Sequence, residues 1–332
     1  MSNKYKYLIL LTFLLLLGGA YCFISSPHDL PKSVIETAPE KTAAAAIPAA
    51  PNAQIIFPGV NAQDGITRQA NIPEPKKTPP EDITVGLEFQ SAADLRAFYQ
   101  KYRQHPSPGI KYWVANALES CVRFAKNPDG QPYESADDFL HSSVEGKQLA
   151  DRTDTFNRLR SRCNGLETRP VKETLSEINT LKADAVLGGD AKSLAARGVL
   201  IDNKYSDSDI AHSVKGILHA QDPYAIAELA NILQRPGLDY ILIGTNNHPV
   251  SYELVESAAT LAACELGADC SRGSINWQTL CIDTGRCDSN GVSRHVLDYL
   301  DSDADRLEAQ RVRDLIVKAS KTGDVSLLGL PK

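Results

Sequence analysis

Two stretches of this chain decide its fold class: GDAKSLAARGVL at residues 189–200 and QDPYAIAELANIL at residues 221–233. In both, an aspartate at the second position precedes small and apolar residues at helical spacing. Apolar positions that recur three and four residues apart indicate an amphipathic helix. The same spacing continues from residue 88 onward. We therefore predict an all-α fold.

Start and stop signals divide this region into about ten predicted helices. Three Ser-x-x-Asp units, which begin at Ser91, Ser135 and Ser206, are typical of capping boxes at helix starts. Only YILIGT at 240–245 has the composition of a strand, and it is short. We predict that residues 83–332 form one domain of helices joined mostly by short turns.

The two opening stretches begin at residues 189 and 221, and this interval indicates a repeat. HPSPGIKYWVANALESC at 105–121 carries a similar pattern, and LVESAATLAACELG at 254–267 looks like the second helix of such a pair. On these residues the chain resembles the short-repeat relatives of tetratricopeptide proteins. The resemblance implies an α/α helical-hairpin array, a right-handed superhelix whose concave face binds proteins or peptides. A non-repetitive helical bundle is the alternative.

The repeat alignment makes three positions testable. Ala195 and Ala227 occupy matching places in the two stretches, so we expect both at close helix–helix crossings where only a small side chain fits. We expect Lys192 on the outer face of its helix.

Residues 1–25 predict a signal anchor. Lys4 and Lys6 precede an apolar run from Tyr7 to Ile24, which is about eighteen residues and roughly the minimum for a membrane-spanning helix. The charge asymmetry predicts a cytoplasmic N-terminus and an external remainder. In a bacterium this means a single-pass inner-membrane protein, held through residues 7–24, with its C-terminal domain in the periplasm. Cleavage of a signal peptide and secretion is the alternative.

Residues 26–82 are rich in proline and alanine and poor in large apolar side chains. Such a segment buries too little surface to offset its ordering entropy, so we predict an extended linker. An anchor, a spacer and a helical domain suit a protein that reaches outward from a membrane. Lipase-specific chaperones have a similar layout, but their Arg-x-x-Phe-Asp-Tyr signature is absent here.

Six cysteines lie beyond the predicted anchor. An even number of cysteines in an oxidising compartment indicates disulfides. Zinc sites prefer closer spacing than the two Cys-x5-Cys units of this chain. We therefore predict no metal site and assign all six to disulfides: Cys121, Cys163, Cys264, Cys270, Cys281 and Cys287.

The pairing can be argued from helix ends. If Gly285 is the left-handed residue that closes a helix, Cys281 and Cys287 occupy two positions that normally touch. A local bridge between them is then expected, and a similar one between Cys264 and Cys270. Pairing Cys264 with Cys281 and Cys270 with Cys287 is the alternative. Cys121 and Cys163, each late in a helix, would staple the first helical hairpin.

The C-terminal part carries a second resemblance. AACELGADC and WQTLCIDTGRC, followed by KTGDVSLLGL, are similar to the tail of proteobacterial envelope proteins of the same helical kind. This resemblance implies no activity.

Candidate catalytic residues are few. His212 and His219 are seven positions apart and share a helical face, without the spacing or the glutamate of a zinc protease. Glu119 is the candidate for the catalytic glutamate if the protein is a cell-wall-cleaving enzyme. A solvated surface position is the simpler interpretation. The acidic run from Asp301 is typical of a helix N-terminus rather than a calcium loop. We predict no catalytic residue and no cofactor.

The composition also bears on partners. The formal net charge is −6, which argues against nucleic acid. We expect a non-catalytic, membrane-tethered periplasmic module that binds another envelope or secreted protein. A membrane-anchored folding helper is the alternative, and a cell-wall-acting enzyme is less favoured.

Overall fold

The computed structural model describes residues 75–127, 130–140, 147–197, 206–235 and 238–331. Within these ranges the domain is mainly helical, as predicted. The helices are α1 Pro80–Ser91, α2 Leu95–Tyr102, α3 Pro108–Ala125, α4 Ala136–Leu140, α5 Lys147–Ser161, α6 Val171–Leu187, α7 Ala191–Arg197, α8 Asp207–Ala220, α9 Pro223–Ala227, α10 Leu229–Leu233, α11 Tyr252–Glu265, α12 Ile275–Thr284, α13 Val292–Tyr299 and α14 Asp303–Thr322. A 3₁₀-helix follows at Val325–Leu328.

One hairpin interrupts the helices. The predicted strand is present as β1 Tyr240–Ile243, and it pairs antiparallel with β2 His248–Ser251. Strand β2 was not predicted: Pro249 lies within it, and proline is uncommon in paired strands. Proline is tolerated here because this two-stranded sheet has only edge strands.

Two of the three predicted capping boxes are confirmed. Ser206 and Asp209 exchange hydrogen bonds at the start of α8, and Ser135 and Asp138 do the same at the start of α4. The prediction at Ser91 is wrong, because its hydroxyl donates back to Leu87 and Glu88 at the end of α1. Asp94 caps α2 on its own, through a bond from the amide of Ala97.

Two large hydrophobic clusters form most of the core. The first is aromatic-rich and joins α1–α6 with α12 and one residue of α9. The Cys121–Cys163 disulfide lies within it and ties α3 to the turn after α5, with a Cα–Cα distance of 5.3 Å. The second cluster is aliphatic and joins α7–α11, the hairpin, α14 and the 3₁₀-helix.

A third cluster is much smaller and lies between α11, α12, α13 and the start of α14. Its centre is Trp277, which packs beside two local disulfides, Cys264–Cys270 and Cys281–Cys287. Gly285 ends α12 in the left-handed conformation, with φ of 74°, as the pairing argument required. These bridges hold a region whose apolar core is small.

The two opening stretches differ in detail. Asp190 and Asp222 each precede a helix, but α7 has seven residues and the second stretch breaks at Glu228 into α9 and α10. Ala195 is fully buried, whereas Ala227 is half-buried. The placement of Lys192 on the outer face is wrong, because its side chain is 0% exposed.

The folded region begins before the predicted boundary at residue 83. Residues 75–82 of the segment that we assigned to the linker are described, and α1 already begins at Pro80. The predicted anchor and linker residues 26–74 lie outside the described residues. No helix in the described ranges has the length and apolar character needed to cross a bilayer.

Candidate functional site

A buried charge cluster lies where the two opening stretches meet. The ammonium of Lys192, in α7, donates to Asp190 Oδ1 at 2.8 Å and to Asp222 Oδ2 at 2.9 Å. The other oxygen of Asp190 accepts from the amide of Ser193, and that of Asp222 accepts from the amide of Tyr224. Both aspartates are therefore helix N-caps that share one lysine.

Aromatic rings cover this lysine. Its Nζ lies 5.6 Å from the ring centre of Tyr112 and 5.7 Å from that of Trp113, which is within cation–π range. Burial by itself lowers the pKa of Lys192, but the carboxylates of Asp190 and Asp222 outweigh it and raise the pKa above the ordinary lysine value. The lysine is therefore a charged, fully enclosed group.

A third carboxyl group belongs to the same cluster. Asp82, in the first turn of α1, is buried and accepts from the hydroxyl of Ser107 at 2.8 Å. Gly109 lies between the acids: a Cβ there would come within 2.2 Å of Asp82 Oδ2 and 3.0 Å of Asp190 Oδ1. Burial raises the pKa of Asp82, although the hydrogen bond from Ser107 and the charge of Lys192 both act to lower it. Residue 109 is glycine because the carboxyl groups of Asp82 and Asp190 leave no room for a side chain there.

The cluster holds helices together. Trp113 contacts Lys192 of the first stretch and also Tyr224 of the second, whose ring centre is 4.7 Å away and nearly perpendicular. Lys192 and Tyr224 occupy matching positions after their capping aspartates. The cluster therefore fixes the two helix starts against α3, and its role is structural.

The segment Pro75–Pro79, which we call the entry segment, runs from this cluster to the surface. The amide of Lys76 donates to the carbonyl of Gly189, and that of Thr78 donates to the carbonyl of Ala220 at the end of α8. Pro75 packs on α8, where a Cβ at Gly216 would come within 2.6 Å of it. An extended segment is thus bound against two helix ends.

Beside the entry segment lies an open groove of about 500 Å³ between α8 and the end of α14. We call it the basic groove. It is lined by Pro75, His212, Lys215, Gly216, Leu218, His219, Gln221, Ser320, Lys321, Thr322 and Gly323. The two histidines that the sequence analysis placed on one helical face both line it.

The charges of this groove have one sign. Lys215 joins His212 and His219 along α8, and Lys321 comes from the last turn of α14. The lining includes no aspartate or glutamate. In the described ranges neither lysine has a carboxylate within ion-pair distance. Asp324, next along the chain from the groove, is turned to Ser326, from which it accepts two hydrogen bonds.

The rim of the groove carries a backbone feature. Gln221 ends α8 with φ of 55°, in the left-handed region. Glycine and asparagine favour that region, and other residues adopt it at a cost. The Gln221 side chain is exposed at the groove, so a long amide occupies a position where glycine is the ordinary choice.

A half-buried acidic group lies on another face, around Glu228. Asn231 donates to Glu228 Oε2 at 2.7 Å, and Tyr252 donates to Asn231 Oδ1 at 2.7 Å. Burial and the nearby Glu256 raise the pKa of Glu228 to about 6. Burial and the neighbouring Glu253 raise the pKa of Glu256 as well. Asn231 therefore links Glu228 of the α9–α10 junction to Tyr252 at the start of α11.

The other sequence candidates have structural partners. Glu119 forms an ion pair with Lys182 at 2.7 Å, and the acidic run leads into α14 behind the N-cap Ser302. One buried pair was missed: Ser289 Oγ lies 3.3 Å from His295 Nδ1. Trp277 donates to that same Ser289 hydroxyl, and burial lowers the pKa of His295. We interpret this enclosed network as packing of the small third cluster.

The six cysteines form three disulfides. Their Cα–Cα distances are 5.3 Å for Cys121–Cys163, 5.6 Å for Cys264–Cys270 and 4.6 Å for Cys281–Cys287. The structure therefore has the local pairing, not the alternative that crosses between the two Cys-x5-Cys units. Throughout the described ranges, no three histidine, cysteine, aspartate or glutamate side chains are grouped so that they could hold a metal ion.

The histidines of the groove were candidates from the sequence, but its two lysines were not. Lys215 lies three positions after His212, so helical spacing already places it on the same face. Lys321 carries no comparable signal, because only packing brings α14 beside α8. No family model, curated protein or solved structure matches this chain.

Proposed function

We propose that this protein is a non-catalytic interaction module, tethered to the inner membrane and facing the periplasm, which binds another envelope or secreted protein through the basic groove. The observation that carries the proposal is the groove itself: about 500 Å³, open to solvent and lined by cationic side chains with no acidic partner in its lining. Ligand-binding clefts commonly have volumes of about 300–1,000 Å³.

The architecture supports binding between helices. In tetratricopeptide-like arrays a groove forms on the concave side of stacked helix pairs, and this proposal assigns the same part to the surface between α8 and α14. Asp190 and Asp222 give the two opening stretches equivalent helix starts around Lys192. This buried centre joins α7 and α9, which precede and follow α8 in the chain, while His212, Lys215 and His219 of α8 remain exposed.

The tether is proposed from the sequence. Lys4 and Lys6 before the apolar run, and the proline- and alanine-rich segment after it, suit a domain that extends from the membrane into the periplasm. Pro75, where the described domain begins, lines the basic groove. The groove is therefore at the place where the proposed linker joins the domain.

A binding role suits the groove better than catalysis. A nucleophilic serine needs a base within hydrogen-bond reach, whereas Ser320 of the groove is buried on α14 and both histidines are exposed on α8. The groove also lacks the carboxylate pair on which glycosidases depend. Its cationic side chains suit recognition of an anionic surface.

Site-specific photocrosslinking in intact cells tests the proposal. A photoreactive amino acid replaces Thr322 in the groove or, as the control, Thr180, which is exposed on α6. We expect a discrete protein adduct from Thr322 that is absent from Thr180. Identical adduct patterns, or none from either position, would contradict the interaction module.

A reporter fused to the C-terminus tests the proposed location. We expect activity from an enzyme that works only outside the cytoplasm, because the positive charges precede the apolar run. Activity of a reporter that works only in the cytoplasm would show the opposite orientation.

A further inference from the structure

We infer that the basic groove binds an extended, acidic peptide segment, with carboxylates at alternate positions, presented by the partner protein. This inference deepens the proposed function and rests on it. Its basis is the combination of exposed lysines on two sides of the groove, Lys215 of α8 and Lys321 of α14, two exposed histidines beside Lys215, and a lining without an acidic side chain.

The charge pattern selects an anion. Lys215, His212 and His219 project from one face of α8, and Lys321 faces them from α14. The chain as a whole carries a formal charge of −6, so a groove without a single acidic lining residue departs from the character of the molecule. The ammonium groups of Lys215 and Lys321, on two sides of the groove, attract an anionic ligand and raise its association rate.

The shape selects an extended chain. The α8 residues of its lining run from His212 to Gln221, nine positions and about 14 Å along the helix. This length suits about four residues of an extended peptide. Pro75 of the entry segment lies at the edge of the groove and covers Gly216.

The spacing specifies the peptide further. Lys215 and His219 are four residues apart on a helix, which is a rise of about 6 Å. Acidic residues two positions apart in an extended peptide lie on the same side and about 7 Å apart. A Glu-x-Glu or Asp-x-Asp segment can therefore place one carboxylate at the ammonium of Lys215 and the next where the imidazole N–H of His219 can donate to it. Gln221, held at the rim in its left-handed conformation, offers an amide that can donate to and accept from the peptide backbone.

Fluorescence anisotropy with the full chain tests the inference. The probe is a labelled peptide of sequence Gly-Glu-Gly-Glu-Gly-Glu-Gly, and the matched probe has glutamine in place of each glutamate. We expect the acidic probe to bind at least about tenfold more tightly, and its binding to weaken as salt rises from about 50 to about 200 mM. Equal binding of the two probes overturns the inference.

Charge-reversal variants locate the binding. Lys215→Glu and Lys321→Glu should each weaken binding of the acidic probe by about tenfold or more. Lys172→Glu is the control, since Lys172 is exposed on α6, outside the groove. The helical circular dichroism of all three should equal that of the parent, because these side chains are exposed. If Lys215→Glu binds the acidic probe as tightly as Lys172→Glu does, the inference is wrong.

Two further outcomes separate this inference from the proposed function. If the Thr322 adduct forms equally well in Lys215→Glu, the interaction module stands and the acidic-peptide inference fails. If the acidic probe requires Lys215 but no protein adduct forms in cells, the peptide inference stands and the proposed role fails. Vesicles that contain an anionic phospholipid provide the remaining comparison: Lys215-dependent binding of vesicles, without binding of the probe, would assign the groove to a membrane surface instead.

Discussion

Lys192 and Lys215 are both helical lysines, from α7 and α8, and their surroundings are opposite. Lys192 is completely buried, donates to Asp190 and Asp222, and lies under two aromatic rings. Lys215 is exposed in the basic groove, and the lining of this groove contains no carboxylate. The charge of Lys192 is neutralised inside the protein, whereas the charge of Lys215 remains available to a ligand.

This difference shows how burial decides the role of a charge. A buried ammonium must be paired, because transfer from water costs several kcal/mol that only good geometry offsets. If one member of a buried ion pair is removed, the other charge stays buried without a partner, and its full desolvation cost destabilises the protein. An exposed ammonium has little effect on stability, so evolution can retain it for binding alone. The comparison makes quantitative predictions for variants of the full chain.

The largest effect is expected at the buried lysine. Lys192→Met keeps most of the side-chain volume but leaves Asp190 and Asp222 unneutralised, so it should lower the free energy of unfolding by about 3–5 kcal/mol. The matched variant Lys215→Met should stay within about 0.5 kcal/mol of the parent. Denaturant unfolding followed by circular dichroism measures both.

The pairing of Lys192 with the two capping aspartates can be tested further by changing these aspartates. Adding Asp190→Asn and Asp222→Asn to Lys192→Met should recover part of the loss, because asparagine also caps helices and carries no charge. If Lys192→Met unfolds like Lys215→Met, the contrast between the two lysines disappears.

A smaller effect should separate the two opening stretches. Ala195 is fully buried, so Ala195→Leu should overpack the core and cost about 1–3 kcal/mol. Ala227 is half-buried, so a leucine there can extend toward solvent, and Ala227→Leu should cost roughly 0.5 kcal/mol or less. Denaturant unfolding of the two variants decides this, and equal losses would show that the two alanines are equivalent after all.

Glu228 is intermediate in exposure between the buried Lys192 and the exposed Lys215, and its pKa is raised to about 6. A carboxyl whose folded pKa exceeds its unfolded value of 4.5 binds more protons when folded, so its penalty is absent below about pH 4.5 and complete above about pH 6. Glu228→Gln should therefore stabilise the protein by about 1–2 kcal/mol at pH 7.5 and by little at pH 4. Thermal unfolding across this range measures the difference; a pH-independent difference would exclude this explanation.

The smallest effect is expected at the rim of the groove. Gln221→Gly relieves the left-handed strain at some cost in chain entropy, and it should exceed Gln221→Ala in stability by roughly 0.5–1 kcal/mol. Thermal unfolding of the two variants gives the comparison. If they unfold alike, the conformation of residue 221 is not a source of strain.

Much of the fold could be predicted because its signals are local. The capping boxes at Ser206 and Ser135 satisfy amides within one turn, so four residues carry the information. Gly285 ends α12 for a similarly local reason, and it places Cys281 next to Cys287. His212 and His219 share a face because a helix repeats every 3.6 residues.

Only the tertiary structure decided which charges are buried and which are free. Helical spacing placed Lys192 on the outer face, because this spacing carries no information about Asp82 and Asp222, which lie far from Lys192 along the chain. Likewise, no local pattern brings Lys321 of α14 beside Lys215 of α8. Local propensity selects the helices, but the energy of a charge depends on the dielectric and the partners around it, and these are set by long-range packing.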